Sequence, residues 1–119
     1  MASTTEYLMG AGSEQVLLTI GRDAVSGASS GNNTIVAASS GKKIRVLGLS
    51  LSAAGAVTAK FQSGAGGTDL TGAWTLATGT PLTLDYNPLG WFETDASALL
   101  NMVLSGAVSV TGVIVYILI

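Results

Sequence analysis

Residues 100–119, LNMVLSGAVSVTGVIVYILI, carry the reading that decides the fold. Leu100, Met102 and Leu104 alternate with Asn101 and Val103, the period of two expected of a strand. Ser105 and Gly106 interrupt this run, and Val108, Val110, Val113, Val115, Ile117 and Ile119 follow. In the closing segment Ile114, Tyr116 and Leu118 fill the alternate positions, so both faces are apolar. A strand of that kind is either central in a sandwich or pressed against another chain. Gly112 is placed for a bulge or bend between the two halves. A helix over residues 96–104, opened by Asp95 as N-cap, is the competing reading; the alternation through Leu104 and the strand-like neighbours favour β.

Working back along the chain, short β-like runs alternate with clusters of Gly, Ser, Asn and Thr. Strands are expected over residues 15–20, 33–38 and 43–53, with a loop over residues 22–31 and a turn at Ser39, Ser40 and Gly41. In the long strand Leu47, Leu49 and Leu51 share one face, and Ile44 and Val46 lie on the other. After the break at Ala54 and Gly55, Val57, Ala59 and Phe61 alternate with Thr58, Lys60 and Gln62, giving a strand with one wet face. Residues 64–67 read as a flexible loop. Trp74 and Leu76 mark a short strand, Pro81 cannot donate to a ladder, and Leu82, Leu84 and Tyr86 form one face of a half-buried strand. Asn87-Pro88-Leu89-Gly90 is a strong turn signal, and residues 91–94 form a brief strand or an aromatic corner. Roughly eight strands punctuated by turns point to an all-β antiparallel sandwich. Jelly-roll connections are the first expectation and an immunoglobulin-like arrangement the second. The expected organisation is an N-terminal arm, residues 1–14, followed by one β-sandwich domain, residues 15–119.

The arm is small and polar except for Tyr7, Leu8 and Met9. Two readings stay open for it: a frayed terminus, or an arm that docks this patch on a neighbouring subunit.

Composition narrows the chemistry. The 119 residues contain no His and no Cys; 10% are charged and 48% hydrophobic. Most protein chemistry near neutral pH uses His, Cys or clustered carboxylates and lysines. Without Cys the fold has no disulfide or thiolate metal site. Without His or Cys, triads of the Ser-His-Asp or Cys-His kind cannot form. The carboxylates Asp85, Glu93 and Asp95, which flank the Asn-Pro-Leu-Gly turn, are the remaining candidates for hydrolysis or Ca²⁺ binding; solvated or cross-strand-paired charges are the favoured reading. Neither glycine-rich segment, at Gly10–Gly12 or Gly64–Gly67, continues into a dinucleotide or phosphate-loop pattern. No catalytic residue, metal or cofactor is expected.

Net charge is −2, and among the five basic residues only Lys42, Lys43 and Arg45 cluster, so nucleic acid is not an expected partner. Residues 1–12 carry no basic residue or apolar core of a signal peptide, and residues 113–119 fall far short of the about 20 that a membrane helix needs. Neither secretion by that route nor a membrane partner is expected. The excess apolar surface must be buried in an unusually complete core or covered by other chains. Trp91 and Phe92, just after the turn, are candidate interface anchors together with Tyr7, Leu8 and Met9. If exposed, Trp91 or Trp74 could instead stack on a sugar ring.

Several segments resemble small virion proteins of tailed bacteriophages. They are Lys43-Ile44-Arg45-Val46-Leu47, Val57-Thr58-Ala59-Lys60-Phe61-Gln62-Ser63-Gly64, Asp69-Leu70-Thr71-Gly72 and residues 104–112. The most specific is Tyr86-Asn87-Pro88-Leu89-Gly90-Trp91-Phe92-Glu93-Thr94. The resemblance is to capsid cement or decoration proteins of jelly-roll type. It implies a homotrimer on the outer shell of a virion, made in the host bacterial cytoplasm and bridging neighbouring major capsid protein subunits. It implies no catalytic residue. A head-fibre or tail component that binds a receptor or glycan is the alternative, and a small carboxylate-dependent hydrolase is a third reading.

Overall fold

In the computed structural model, residues 3–11 and 14–119 are described, with side chains from Ile20 onward. The described residues form eleven strands: β1 Ser3–Ala11, β2 Glu14–Gly27, β3 Gly31–Val36, β4 Ile44–Ala53, β5 Val57–Ser63, β6 Thr68–Asp69, β7 Trp74–Leu76, β8 Leu82–Leu84, β9 Phe92–Glu93, β10 Leu100–Leu104 and β11 Val110–Leu118. No helix occurs among the described residues, so the region of residues 96–104 resolves as strand β10. The strands pair antiparallel in two sheets packed as a sandwich. Sheet A runs β1-β2-β11-β4-β8, with β9 also on β4; sheet B runs β3-β10-β5-β6, with β7 also on β5. This order is compatible with a jelly roll.

The two-sided apolar segment that opened the sequence reading is β11, and it is central in sheet A, paired with β2 on one side and β4 on the other. Its inner residues Val110, Ile114 and Tyr116 enter the core between the sheets. Opposite them, sheet B contributes Val57, Ala59 and Phe61 from β5 and Leu100, Met102 and Leu104 from β10. The Phe61 ring anchors this layer, edge-on to Trp74 at 6.0 Å and tilted against Phe92 at 5.4 Å. Offset and edge contacts of this kind suit the ring quadrupoles.

Four expectations are corrected. The loop expected over residues 22–31 is strand through Gly27, because β2 pairs with β11 from Ile20↔Ile117 to Gly27↔Val110. The glycines in this segment serve packing: a Cβ on Gly21 would lie 2.6 Å from the Tyr116 ring, and one on Gly27 would lie 2.7 Å from Met102 Cε. The strand expected over residues 33–38 instead spans Gly31–Val36, paired with β10. In β4 the alternation does not run straight. A register shift between Val115 and Tyr116 of β11 faces Leu47, so Ile44, Val46, Leu49, Leu51 and Ala53 all belong to one core, and Leu47 is buried outside that cluster. One inserted residue reverses the parity of every position beyond it, which is what a β-bulge does. Gly112, by contrast, lies within an unbroken β11 and is required because a Cβ there would strike the Ser50 carbonyl oxygen of β4.

The outer face of sheet B is not simply wet. Asn101 is 0% exposed. Its Nδ2 donates to Asn32 Oδ1 (2.9 Å) and Gln62 Oε1 (3.1 Å), and its Oδ1 accepts from the Asn33 backbone N–H (3.0 Å). Gln62 Nε2 donates onward to Asp69 Oδ1 at 2.8 Å, and Lys60 reaches the same carboxylate at 3.2 Å. A polar ladder thus crosses β3, β10, β5 and β6, and the buried amide is satisfied, as burial demands.

Candidate protein-interaction surface

The site is built from a turn and the sheet face beside it. Asn87 opens the turn by accepting at Oδ1 from the Leu89 N–H (3.0 Å), and Gly90 N–H donates to the Asn87 carbonyl (2.9 Å). Gly90 adopts φ +86, which a residue with a side chain rarely does. A Cβ at Gly90 would also press on Arg45 Cγ at 2.5 Å. The turn is strapped to β4 at both ends, since Asn87 N–H donates to the Leu47 carbonyl and Trp91 N–H to the Val46 carbonyl, each at 2.8 Å. Trp91 Nε1–H donates across the loop to the Asp85 carbonyl at 2.7 Å. Past the turn, Thr94 and Ile44 exchange hydrogen bonds, the Ile44 N–H reaching Thr94 Oγ1 at 2.9 Å.

This fastened loop displays apolar side chains. Leu89 is 79% exposed, Tyr86 58% and Trp91 47%. Next to it, on the outer face of sheet A, lies an open groove of about 240 Å³ lined by Leu84, Asp85, Tyr86, Gly48, Val113 and Val115, among others. Val113 is 45% exposed. Gly48 keeps the groove shallow-floored, and the Tyr86 backbone passes within 3.6 Å of the position its Cβ would take. Groove and loop share Asp85 and Tyr86 and so form one apolar surface. Surfaces of this type, held rigid before contact, lose little entropy on binding.

Of the residues singled out in the sequence, Trp91 lies on this surface. Phe92 points the other way: it is half-buried and packs against the core. The side chains of Tyr7, Leu8 and Met9 lie outside the described residues; their backbone forms part of β1. Trp74 is half-buried against Phe61. Tyr86, expected on a half-buried strand, stands in the loop because β8 ends at Leu84. Leu89 and Val113 were not singled out individually. Signals for both are present: Leu89 is an apolar residue at the tip of a turn, where the fold has no use for it, and Val113 belongs to a strand with two apolar faces.

The carboxylates do not converge. Glu93 accepts from Arg45 Nη2 (2.8 Å) and Nε (3.0 Å) and from Lys43 Nζ (3.4 Å). The Arg45 hydrogen bond holds its carboxyl below the usual range, against the opposing effect of partial burial. Asp95 is tied to Ser63 through its backbone N–H, which donates to Ser63 Oγ at 2.9 Å. Asp85 lines the groove. Among the described residues no group of three or more His, Cys, Asp or Glu side chains is placed to hold a metal ion.

No family model, curated protein or solved structure matches this chain.

Proposed function

We propose that this protein is a structural component of a bacteriophage virion, a capsid cement or decoration protein of jelly-roll connectivity. In this reading it forms a homotrimer on the outer shell and clamps neighbouring major capsid protein subunits. The observation that carries the proposal is the preformed apolar surface made by Tyr86, Leu89, Trp91, Val113 and the groove between them. Aromatic and aliphatic anchors presented on a fastened loop are the features of an interface centre. The resemblance of residues 86–94 to phage virion proteins falls on this same loop. The mechanism is mechanical. Each subunit buries apolar surface against its neighbours, at about 25 cal/mol per Å², and the sum over many copies raises the cost of separating shell subunits.

The test is to compare capsids with and without the bound protein under heating. Capsids carrying it are expected to rupture at higher temperature, and Leu89→Asp with Trp91→Ala should abolish both binding and protection. Failure of the purified protein to bind capsids at micromolar concentration sinks the proposal.

Exposure of Trp91 supports one second reading, a glycan-binding module of a head fibre or tail component. Its indole N–H is occupied by Asp85, and part of the ring surface is left open for stacking. Glycan-array signal lost in Trp91→Ala would favour this reading.

A further inference from the structure

Two backbone hydrogen bonds strap the turn of residues 87–90 to β4, at Asn87 and at Trp91, and between these straps Gly90 rests on a side chain. That side chain is Arg45, whose stem fills the space beside Gly90: a Cβ on Gly90 would meet Arg45 Cγ at 2.5 Å and Cδ at 2.7 Å. The far end of the stem is held. Arg45 Nη2 and Nε both donate to Glu93 Oε1, at 2.8 Å and 3.0 Å, and Lys43 Nζ donates to the other oxygen, Oε2, at 3.4 Å. Charged donors on both oxygens restrict rotation of the carboxylate. Glu93 is itself fixed to β4, because it pairs with Arg45 in register and the next residue, Thr94, exchanges hydrogen bonds with Ile44. A continuous path therefore runs from the β4–β9 pairing, through the Glu93 carboxylate and the Arg45 stem, to Gly90, the residue between Leu89 and Trp91.

We infer that Arg45 is the positioning residue of the apolar surface: its stem is a strut that sets the pose of Leu89 and Trp91, and Glu93 is the post that holds the strut. The residue type suits the task. An arginine covers backbone with its methylenes while its head stays at the surface. Its planar fork also places two donors on one carboxylate, which the single ammonium of Lys does not reproduce. The side chains of the pair are 31% and 34% exposed. Ion pairs this open add little to folding stability, so what the pair contributes is the pose of the turn. Anchors held in place before contact lose less entropy on binding than mobile ones. Loosening the strut therefore lowers affinity without deleting any side chain that touches the partner. The inference deepens the proposed function and rests on it in taking the Leu89 loop to be the contact with the shell.

The chain has two tryptophans, so Trp74→Phe leaves Trp91 as the only indole and its fluorescence reports the loop. In that background Arg45→Ala is expected to raise acrylamide quenching of Trp91 while keeping the β circular dichroism spectrum. Glu93→Ala should reproduce the rise, and Arg45→Lys should give a smaller one. Capsid affinity should fall about tenfold in Arg45→Ala, the size of coupling seen between neighbouring residues. In a Leu89→Ala background the same substitution should cost little further, because the anchor that it positions is gone. If Arg45→Ala fails to fold, Arg45→Met, which keeps most of the stem and removes the ion pair, takes its place. A folded variant with unchanged quenching overturns the inference. So does an affinity loss of equal size with and without Leu89, which would mean that Arg45 touches the partner itself. The two proposals fail separately. Wild-type protein without capsid affinity sinks the proposed function while the quenching still tests Arg45; capsid binding with no quenching response does the reverse.

Discussion

Asn101 shows what a single residue contributes here. It interrupts an otherwise apolar β10, is wholly enclosed, and exchanges hydrogen bonds with Asn32, Asn33 and Gln62 on both neighbouring strands. A slip of either strand by one residue would leave its amide without partners, so it specifies register as well as adding hydrogen bonds. Asn101→Ala removes the partner of the buried Gln62 side-chain carbonyl and of the half-buried Asn33 N–H. The expected loss is about 1–3 kcal/mol, read as a lower urea midpoint with unchanged slope. Periodicity alone announces a polar residue on the outer face; that this position is enclosed follows from the strands and loops around it.

At the scale of elements, the contact of β11 with β4 depends on Gly112. The β4 backbone at Ser50 and Leu51 approaches so closely that no Cβ fits, and a backbone carbonyl cannot rotate away as a side chain can. Gly112→Ala is expected to cost more than about 3 kcal/mol, among the larger effects of single substitutions. The control is Gly106→Ala in the loop before β11, where nothing lies within 4 Å; there the change should stay within about 0.5 kcal/mol. Thermal melts of the two variants side by side check both numbers. The same pair of strands explains the misread faces of β4. Leucines at 47, 49 and 51 look like one stripe, and only the partner strand's register reveals the bulge that leaves Leu47, though fully buried, outside the cluster shared by Leu49 and Leu51.

For the whole molecule, the chain passes repeatedly between sheets, and β11 completes sheet A only by inserting between β2 and β4. The charges that brace this assembly set its pH range. Glu93 is lowered chiefly by its hydrogen bond from Arg45, and Asp69 by hydrogen bonds from Gln62 and Lys60. Depressed carboxyls add stability above their unfolded pKa and lose it as pH falls through the folded value, so stability should decline below about pH 4. Tyr116 has the opposite sign. Burial, then its hydrogen bond to Asp23, pushes the phenol up to about 12. Its contribution is complete below the ordinary value of 10.0 and is lost as pH rises through about 12. Denaturant titrations across pH should show both flanks; Glu93→Gln should flatten the acid flank and Tyr116→Phe the alkaline one.

What the sequence determined by itself was the class of protein. Period-two runs, turn signals and the lack of His and Cys are local or compositional properties, and they suffice for an all-β sandwich whose surplus apolar residues need covering. Tertiary structure decided which of those residues are the surplus. Phe92 turns to the core and Trp91 to the surface although they are adjacent, because Phe92 opens β9 and pairs with Val46 of β4, whereas Trp91 still belongs to the turn before it. Before Ile20, β2 pairs with β1 alone, because its pairing with β11 begins at Ile20. Where a strand's neighbour ends is a property of two distant segments in register, and no local pattern in either one contains it.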